Sequence, residues 1–222
     1  GVPDARITVL DNAIDDEALA RDLAAVGAAQ LQACRARLGA DPSAVALFCG
    51  SLYPDKRLDL LLAAADRLHA ALPLFRLVVI GDGPGRPALA AAAASRPWLI
   101  DTGALHGVDK AAWYRSAQLC LNPGAVGLQV LDAFGAGLPL ITTVDARHGP
   151  EFDYLEPDRN ACVVPGNAEA VAAAALRLLQ DPAGRGRLAD AALQDARRIT
   201  LAAMVQHFID GVERCLRPPV PR

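Results

Sequence analysis

A chain of 222 residues is long enough to bury the core of one α/β domain or of two small ones. Hydrophobic residues make up 53% and aromatic residues only 5%, which suits Ala-rich helices packed on a sheet better than a β-sandwich. The formal net charge of −3 argues against binding nucleic acid by bulk charge.

The five cysteines form no CxxC pair. Cys49, Cys120 and Cys162 fall in apolar, strand-like runs and read as small core residues in a reducing compartment. No apolar run is long enough to span a bilayer. The chain begins at Gly1 and its single methionine is Met204, so a longer natural protein is expected.

In chain order, strand-like and helix-like runs alternate. ITVL (7–10) reads as a strand leading into Asp11-Asn12, and a helix is expected over about 16–38 behind the caps Asp15 and Asp16. ALFCG (46–50) is a buried strand, followed by a helix over about 57–72. RLVVIG (76–81) and a helix over 86–95 come next, then the weaker strand WLIDTG (98–103) and a short helix over 109–116. LCLN (119–122) runs into a glycine loop, a helix over 128–135 and the strand PLITT (139–143). CVVPG (162–166) is the last strand. Helices over about 168–180, 183–197 and 201–216 close the chain before the tail PPVPR.

Short, continuously apolar strands alternating with helices indicate a parallel sheet covered on both faces. The expectation is one α/β, doubly wound, Rossmann-like domain over residues 1–222, with about six strands. Such domains bind ligands in the crevice beyond the carboxyl ends of the strands. The informative stretches are therefore the loops after strands.

Five loops carry candidate chemistry, and each has a plainer reading. In Gly50-Ser51-Leu52-Tyr53-Pro54-Asp55-Lys56-Arg57, two cations open a helix against its dipole, which makes sense beside an anion; otherwise they are a solvated basic pair. Gly81-Asp82-Gly83-Pro84-Gly85-Arg86 is not GxGxxG and reads first as a tight turn into a helix. Thr102-Gly103-Ala104-Leu105-His106-Gly107 has no partner for His106 at metal spacing, though its backbone could hold a base edge. Gly124, Ala125, Val126 and Gly127 would leave bare N–H groups near Leu128 at a helix start, a natural anion site. Asp132 follows one turn in and suits a hydroxyl, or is simply an acid placed well for the dipole. Finally, His148 and Glu151 flank a Gly-Pro turn and could face the same crevice. GxSxG, GxxxxGK[ST] and HExxH are absent, which argues against a serine hydrolase, a P-loop NTPase and a zincin.

The ordered series LFCGSLYPDKRLDLLL, LVVIGDGPGR, PGAVGLQVLDAFGAGLPLITT and HGPEFDYLEPDRNACVVPGN resembles the carboxyl-terminal half of the family 4 glycosyltransferases of GT-B fold. ITVLDNAIDD resembles the stretch that opens that half. The resemblance implies transfer of a sugar from a nucleotide-diphosphate sugar with retention, in polysaccharide or glycolipid assembly, with this chain binding the donor. Carried over, Gly50 would let the phosphates approach. Lys56 and the amides near Gly127 and Leu128 would hold the diphosphate, and Asp132 would hold the ribose.

The chain also departs from the family pattern. Ser51 stands where a phosphate-binding arginine is usual, with Arg57 a shifted substitute. Gly124 stands where an acid touches the donor sugar, so His148 and Glu151 become candidates for polar or catalytic contacts. No metal and no cofactor other than the donor substrate are expected. An acceptor-binding amino-terminal domain is expected to precede residue 1, and helix 201–216 would return to it. The fragment alone is expected to turn over little. A cytoplasmic location is expected, with association at the inner face of the membrane through that other domain left open. A nucleotide-sugar binding module without transfer and a nucleotide-sugar epimerase of related fold are the alternatives.

Overall fold

In the computed structural model, residues 7–39 and 44–216 are described. The tail PPVPR lies outside them. Six strands form one parallel sheet: β1 (Ala44–Cys49), β2 (Phe75–Ile80), β3 (Leu99–Gly103), β4 (Leu119–Leu121), β5 (Leu140–Thr143) and β6 (Ala161–Val164). Their order is β3-β2-β1-β4-β5-β6. From β1 the chain winds outward to β3, then crosses back to place β4 on the other side of β1. That reversal is the topological switch point, and it sets the ends of β1 and β4 side by side.

The strands are apolar throughout because both faces are covered. Ala44, Ala46 and Phe48 point into one core layer with Phe75, Leu77 and Val79. Val45, Leu47 and Cys49 point into the other with Val78 and Ile80. Helices α3 (Leu58–Ala71), α4 (Arg86–Ala93) and α7 (Ala168–Gln180) bury residues in the first layer. Helices α2 (Ala28–Leu38), α5 (Gly107–Ser116) and α6 (Gln129–Gly135) bury residues in the second. Helix α8 (Pro182–Ala196) contributes Leu188 to one and Ala192 to the other.

Two expectations are corrected. The helix expected over 16–38 is two helices, α1 (Asp16–Ala25) and α2, broken at Val26-Gly27. Val26 turns into the core and its carbonyl accepts from Arg115 Nη1 at 3.1 Å, while Gln30 Oε1 caps the Gly27 N–H at 3.1 Å. Gly27, a poor helix former and the N-cap of α2, permits the break, and the Arg115 contact fixes it.

The run 7–10 is not a strand. The run packs on α9 (Leu201–Leu216) instead of on a sheet edge: Thr8 sits against Gly211, and its Oγ1 accepts from Arg214 Nη2 at 2.6 Å. Helix α9 buries no residue. Val205, Phe208, Ile209 and Val212 are all more than 40% exposed, Leu10 lines one groove with Phe208 and Val212, and Ile7 and Val9 are exposed as well. The four cysteines Cys34, Cys49, Cys120 and Cys162 are buried, and Cys215 on α9 is exposed.

Candidate functional site: a clasped glycine loop at the switch point

The loop after β1 does not run straight into its helix. Pro54–Lys56 make a 3-10 turn, and Arg57 caps α3 in the left-handed region at φ 51°. A non-glycine residue there is strained and persists only when its surroundings fix it. They do: Arg57 Nη2 donates to Gly166 O at 3.0 Å, and Nη1 lies 3.7 Å from Asp145. The guanidinium is thereby tied to the loops after β5 and β6. Ser51 is exposed beside fully buried Leu52. Gly83 is explained by that same leucine, since a Cβ on Gly83 would meet Leu52 N at 2.9 Å.

The turn at 54–56 clamps the glycine loop after β4. Ala125 N donates to Asp55 O at 2.8 Å. A Cβ on Gly124 would lie 2.3–2.4 Å from the backbone of Asp55 and Lys56, so no side chain fits there. Lys56 Nζ in turn donates to Ala125 O at 2.5 Å. Burial pushes the Lys56 ammonium below the usual lysine range, and the nearby charges of Asp55 and Glu151 push it partly back. Gly127 differs from Gly124: a Cβ there would meet nothing within 4 Å. Leu128 beside it is 40% exposed. The Gly127–Leu128 end of the loop is thus the open end, at the start of α6.

The turn after β5 closes the third side. His148 Nδ1 accepts from Val126 N at 3.2 Å, and Nε2 lies 2.6 Å from Thr143 O. A backbone carbonyl only accepts, so these two contacts assign the neutral Nε2–H tautomer. Burial is the first cause of a lowered His148 pKa; Lys56 adds to it, while the Thr143 carbonyl and Asp145 oppose it. The ring stacks on Phe152 at 4.0 Å. Both nitrogens therefore serve the loop. Glu151, on the 3-10 turn Pro150–Tyr154, is 4% exposed. One of its oxygens accepts from Asn12 Nδ2 at 2.6 Å, and Tyr154 Oη donates to Asn12 O at 2.9 Å.

Asp132 lies further along α6, where Lys110 Nζ of α5 donates to it at 2.9 Å, both side chains largely buried. Leu105 and His106 lie two strands away from β1, between β3 and α5. Leu105 is half-buried and His106 is the exposed residue before α5.

The fold thus gathers Lys56, Gly124, Ala125, Val126, His148 and Glu151 around one loop, sets Arg57 and Gly83 beside its 54–56 clamp, and leaves Leu105 and His106 apart from it, beyond β3. Sequence reasoning missed Asn12, Lys110, Asn122 and Gln129. Asn122 alone carried a signal, a polar residue at the end of an apolar strand. Among the described residues, no group of three or more His, Cys, Asp or Glu is placed to hold a metal ion. Among them too, no helix is long and apolar enough to cross a membrane.

At the switch point a lysine stands on a glycine loop whose far end is open, an arrangement that suits an anionic ligand. The family model described as glycosyl transferases group 1 matches residues 43–181. The chain belongs to that family. Among curated relatives, the D-inositol 3-phosphate glycosyltransferase of Thermobispora bispora is 30% identical over 206 residues, covering 83% of this chain and 47% of that protein. The chain spans between 27% and 47% of the length of the curated relatives it matches. Among solved structures, Anabaena Alr3699/HepE in complex with UDP-glucose superposes with a TM-score of 0.73 at 18% identity, over 91% of this chain and 56% of that one. The carboxyl-terminal domain of the group 1 family protein LpcC from Francisella tularensis gives 0.57 at 20% identity, over 69% of this chain and 84% of that one. These two establish the likeness of fold, the Rossmann-like half of a GT-B architecture.

Proposed function

We propose that this chain is the donor-binding domain of a retaining glycosyltransferase, moving a sugar from a nucleotide-diphosphate sugar to an acceptor in polysaccharide or glycolipid assembly. The observation that carries it is the Lys56 ammonium resting on the glycine loop at the switch point of a group 1 chain. In this reading Lys56 keeps one N–H on the Ala125 carbonyl and turns its remaining N–H groups to the diphosphate, together with the amides of Gly127 and Leu128. Positive charge placed where the leaving diphosphate gains negative charge lowers the barrier to its departure. Asp132, held by Lys110, takes the ribose hydroxyls, and the backbone from Thr102 to His106 lies along the base. No protein nucleophile is assigned. His148 holds Val126, and Glu151, a buried carboxylate close enough to act on the Lys56 charge, is the candidate for a polar contact with the transferred sugar.

The acceptor belongs to an amino-terminal domain outside this chain. The likeness to a carboxyl-terminal domain and the partial span of the relatives support that division. Helix α9 and residues 7–10 offer the exposed apolar surface on which such a domain would pack. The chain alone is therefore expected to bind donor and to turn over little. The location proposed is the cytoplasm.

The test is a calorimetric titration of this chain with UDP, GDP, ADP and their common sugar conjugates. Selective binding of one diphosphate is expected, weakened in both Lys56→Ala and Asp132→Ala. Unchanged affinity in both variants sinks the assignment. One observation favours a second reading, a module that binds nucleotide sugar without transferring it: the backbone at Asp55–Lys56 leaves no room for an acid at Gly124. Donor binding by the full-length protein with no glycoside formed would select that reading.

A further inference from the structure

Beneath the glycine loop lies a buried pair of amides with no counterpart in the reading above. Asn122 follows β4 and is fully buried. Its Nδ2 donates to Ala125 O at 3.3 Å and to Gln129 Oε1 at 2.8 Å. Ala125 O is the same carbonyl that accepts from Lys56 Nζ. A carbonyl only accepts, so it fixes which end of the Asn122 amide faces it, and that in turn fixes the Gln129 amide.

The arrangement leaves two atoms buried without a partner, Asn122 Oδ1 and Gln129 Nε2. Each such atom costs about 1–3 kcal/mol. Two apolar side chains of similar volume would fill the space without that loss. What amides supply, and apolar side chains do not, is a fixed direction for the Ala125 carbonyl. The backbone on either side is already held: Ala125 N by Asp55 O, and Pro123 O by Thr143 Oγ1 at 2.8 Å. The carbonyl itself is held by Asn122 and by Lys56.

We propose that Asn122, braced by Gln129, is a positioning residue for Lys56, aiming the Ala125 carbonyl so that the ammonium stands ready for a diphosphate. The proposal rests on the donor-site reading. Asn122 touches no donor atom in it and acts only through the lysine.

The test is a double-mutant cycle on this chain, titrated with UDP, GDP and inorganic pyrophosphate and paired with thermal unfolding of every variant. Lys56→Ala is expected to lose roughly tenfold or more in affinity for the best-bound probe, as expected for a bond to a charged group. Asn122→Leu is expected to lose about fivefold, and the Lys56→Ala/Asn122→Leu double variant no more than Lys56→Ala alone. Gln129→Leu breaks the brace from a partly exposed position, keeps the measurement possible should Asn122→Leu not fold, and is expected to show a smaller loss with the same dependence on Lys56.

Losses that multiply in the double variant would show a general loosening of the loop and overturn the proposal. So would full affinity in both Asn122→Leu and Gln129→Leu. If wild type binds none of the probes, the donor-site reading itself falls and takes this inference with it; if wild type binds but Lys56→Ala binds as wild type does, this inference falls by itself.

Discussion

Gly124 and Gly127 stand three residues apart in one loop and are small for opposite reasons. Around Gly124 the loop is packed against other backbone, with Asp55 and Lys56 within 2.4 Å of any Cβ. Around Gly127 there is open space. The first half of the loop is fixed by the protein: Ala125 by Asp55, Val126 by His148, and the Ala125 carbonyl by Asn122 and Lys56. The second half is where a ligand could approach bare backbone. Glycine content alone does not mark a binding loop, since half of this one serves packing. A ligand-facing half is precise because the other half does not move.

The contrast can be broken most violently at Gly124. Gly124→Ala should cost about 3 kcal/mol through overpacking, a fall in Tm of roughly 10 °C for a chain of this size. A Tm unchanged in thermal unfolding would show that the 54–56 turn yields easily. Next comes Lys56→Ala, which should leave Tm nearly in place while diphosphate affinity drops, because the carbonyl it frees still has Asn122. Gly127→Ala sharpens the contrast from the other side. Its stability should stay within about 0.5 kcal/mol of wild type, while calorimetry should show weaker nucleotide binding because the methyl group occupies the approach. Equal losses of stability at Gly124 and Gly127 would erase the distinction.

The smallest effect concerns His148. Burial lowers its pKa in the fold, so the unfolded chain takes up the proton first. Its contribution to stability is full above the ordinary imidazole value of about 6.5 and fades as pH falls through the lower folded value. Tm measured from pH 8 to pH 5 should decline below that point, and less steeply in His148→Gln. Identical slopes would assign the acid sensitivity elsewhere.

The sheet was legible in the sequence because burial on both faces turns each strand into an unbroken apolar run. Loops after strands then marked the crevice without any contact being known. The break at Val26-Gly27 had a local signal in Gly27, but a lone glycine is often tolerated inside a helix, and the Arg115 contact that fixes the break comes from a distant part of the chain. Residues 7–10 are mostly β-branched and apolar, as a strand often is, yet the run packs on α9, a neighbour it could not reveal. Within the site, Lys56 and Asp132 showed themselves by charge at helix starts. Lys110 looked like any solvated helix residue until α5 was set beside α6. The two 3-10 turns, at Pro54 and Pro150, had proline signals that read equally well as ordinary loops. Their consequence, that one turn excludes any side chain at Gly124, is a tertiary fact.

The cysteines have a practical corollary. Cys34, Cys49, Cys120 and Cys162 are buried, and burial raises their pKa values, so they are slow to form the thiolate that alkylating reagents attack. Cys215 is exposed near the end of α9, on the apolar surface it shares with Thr8, Leu10 and Phe208. A maleimide fluorophore should therefore couple at one position without any engineering. It would sit on the exposed apolar face of α9, where a change in its emission would report anything that docks there.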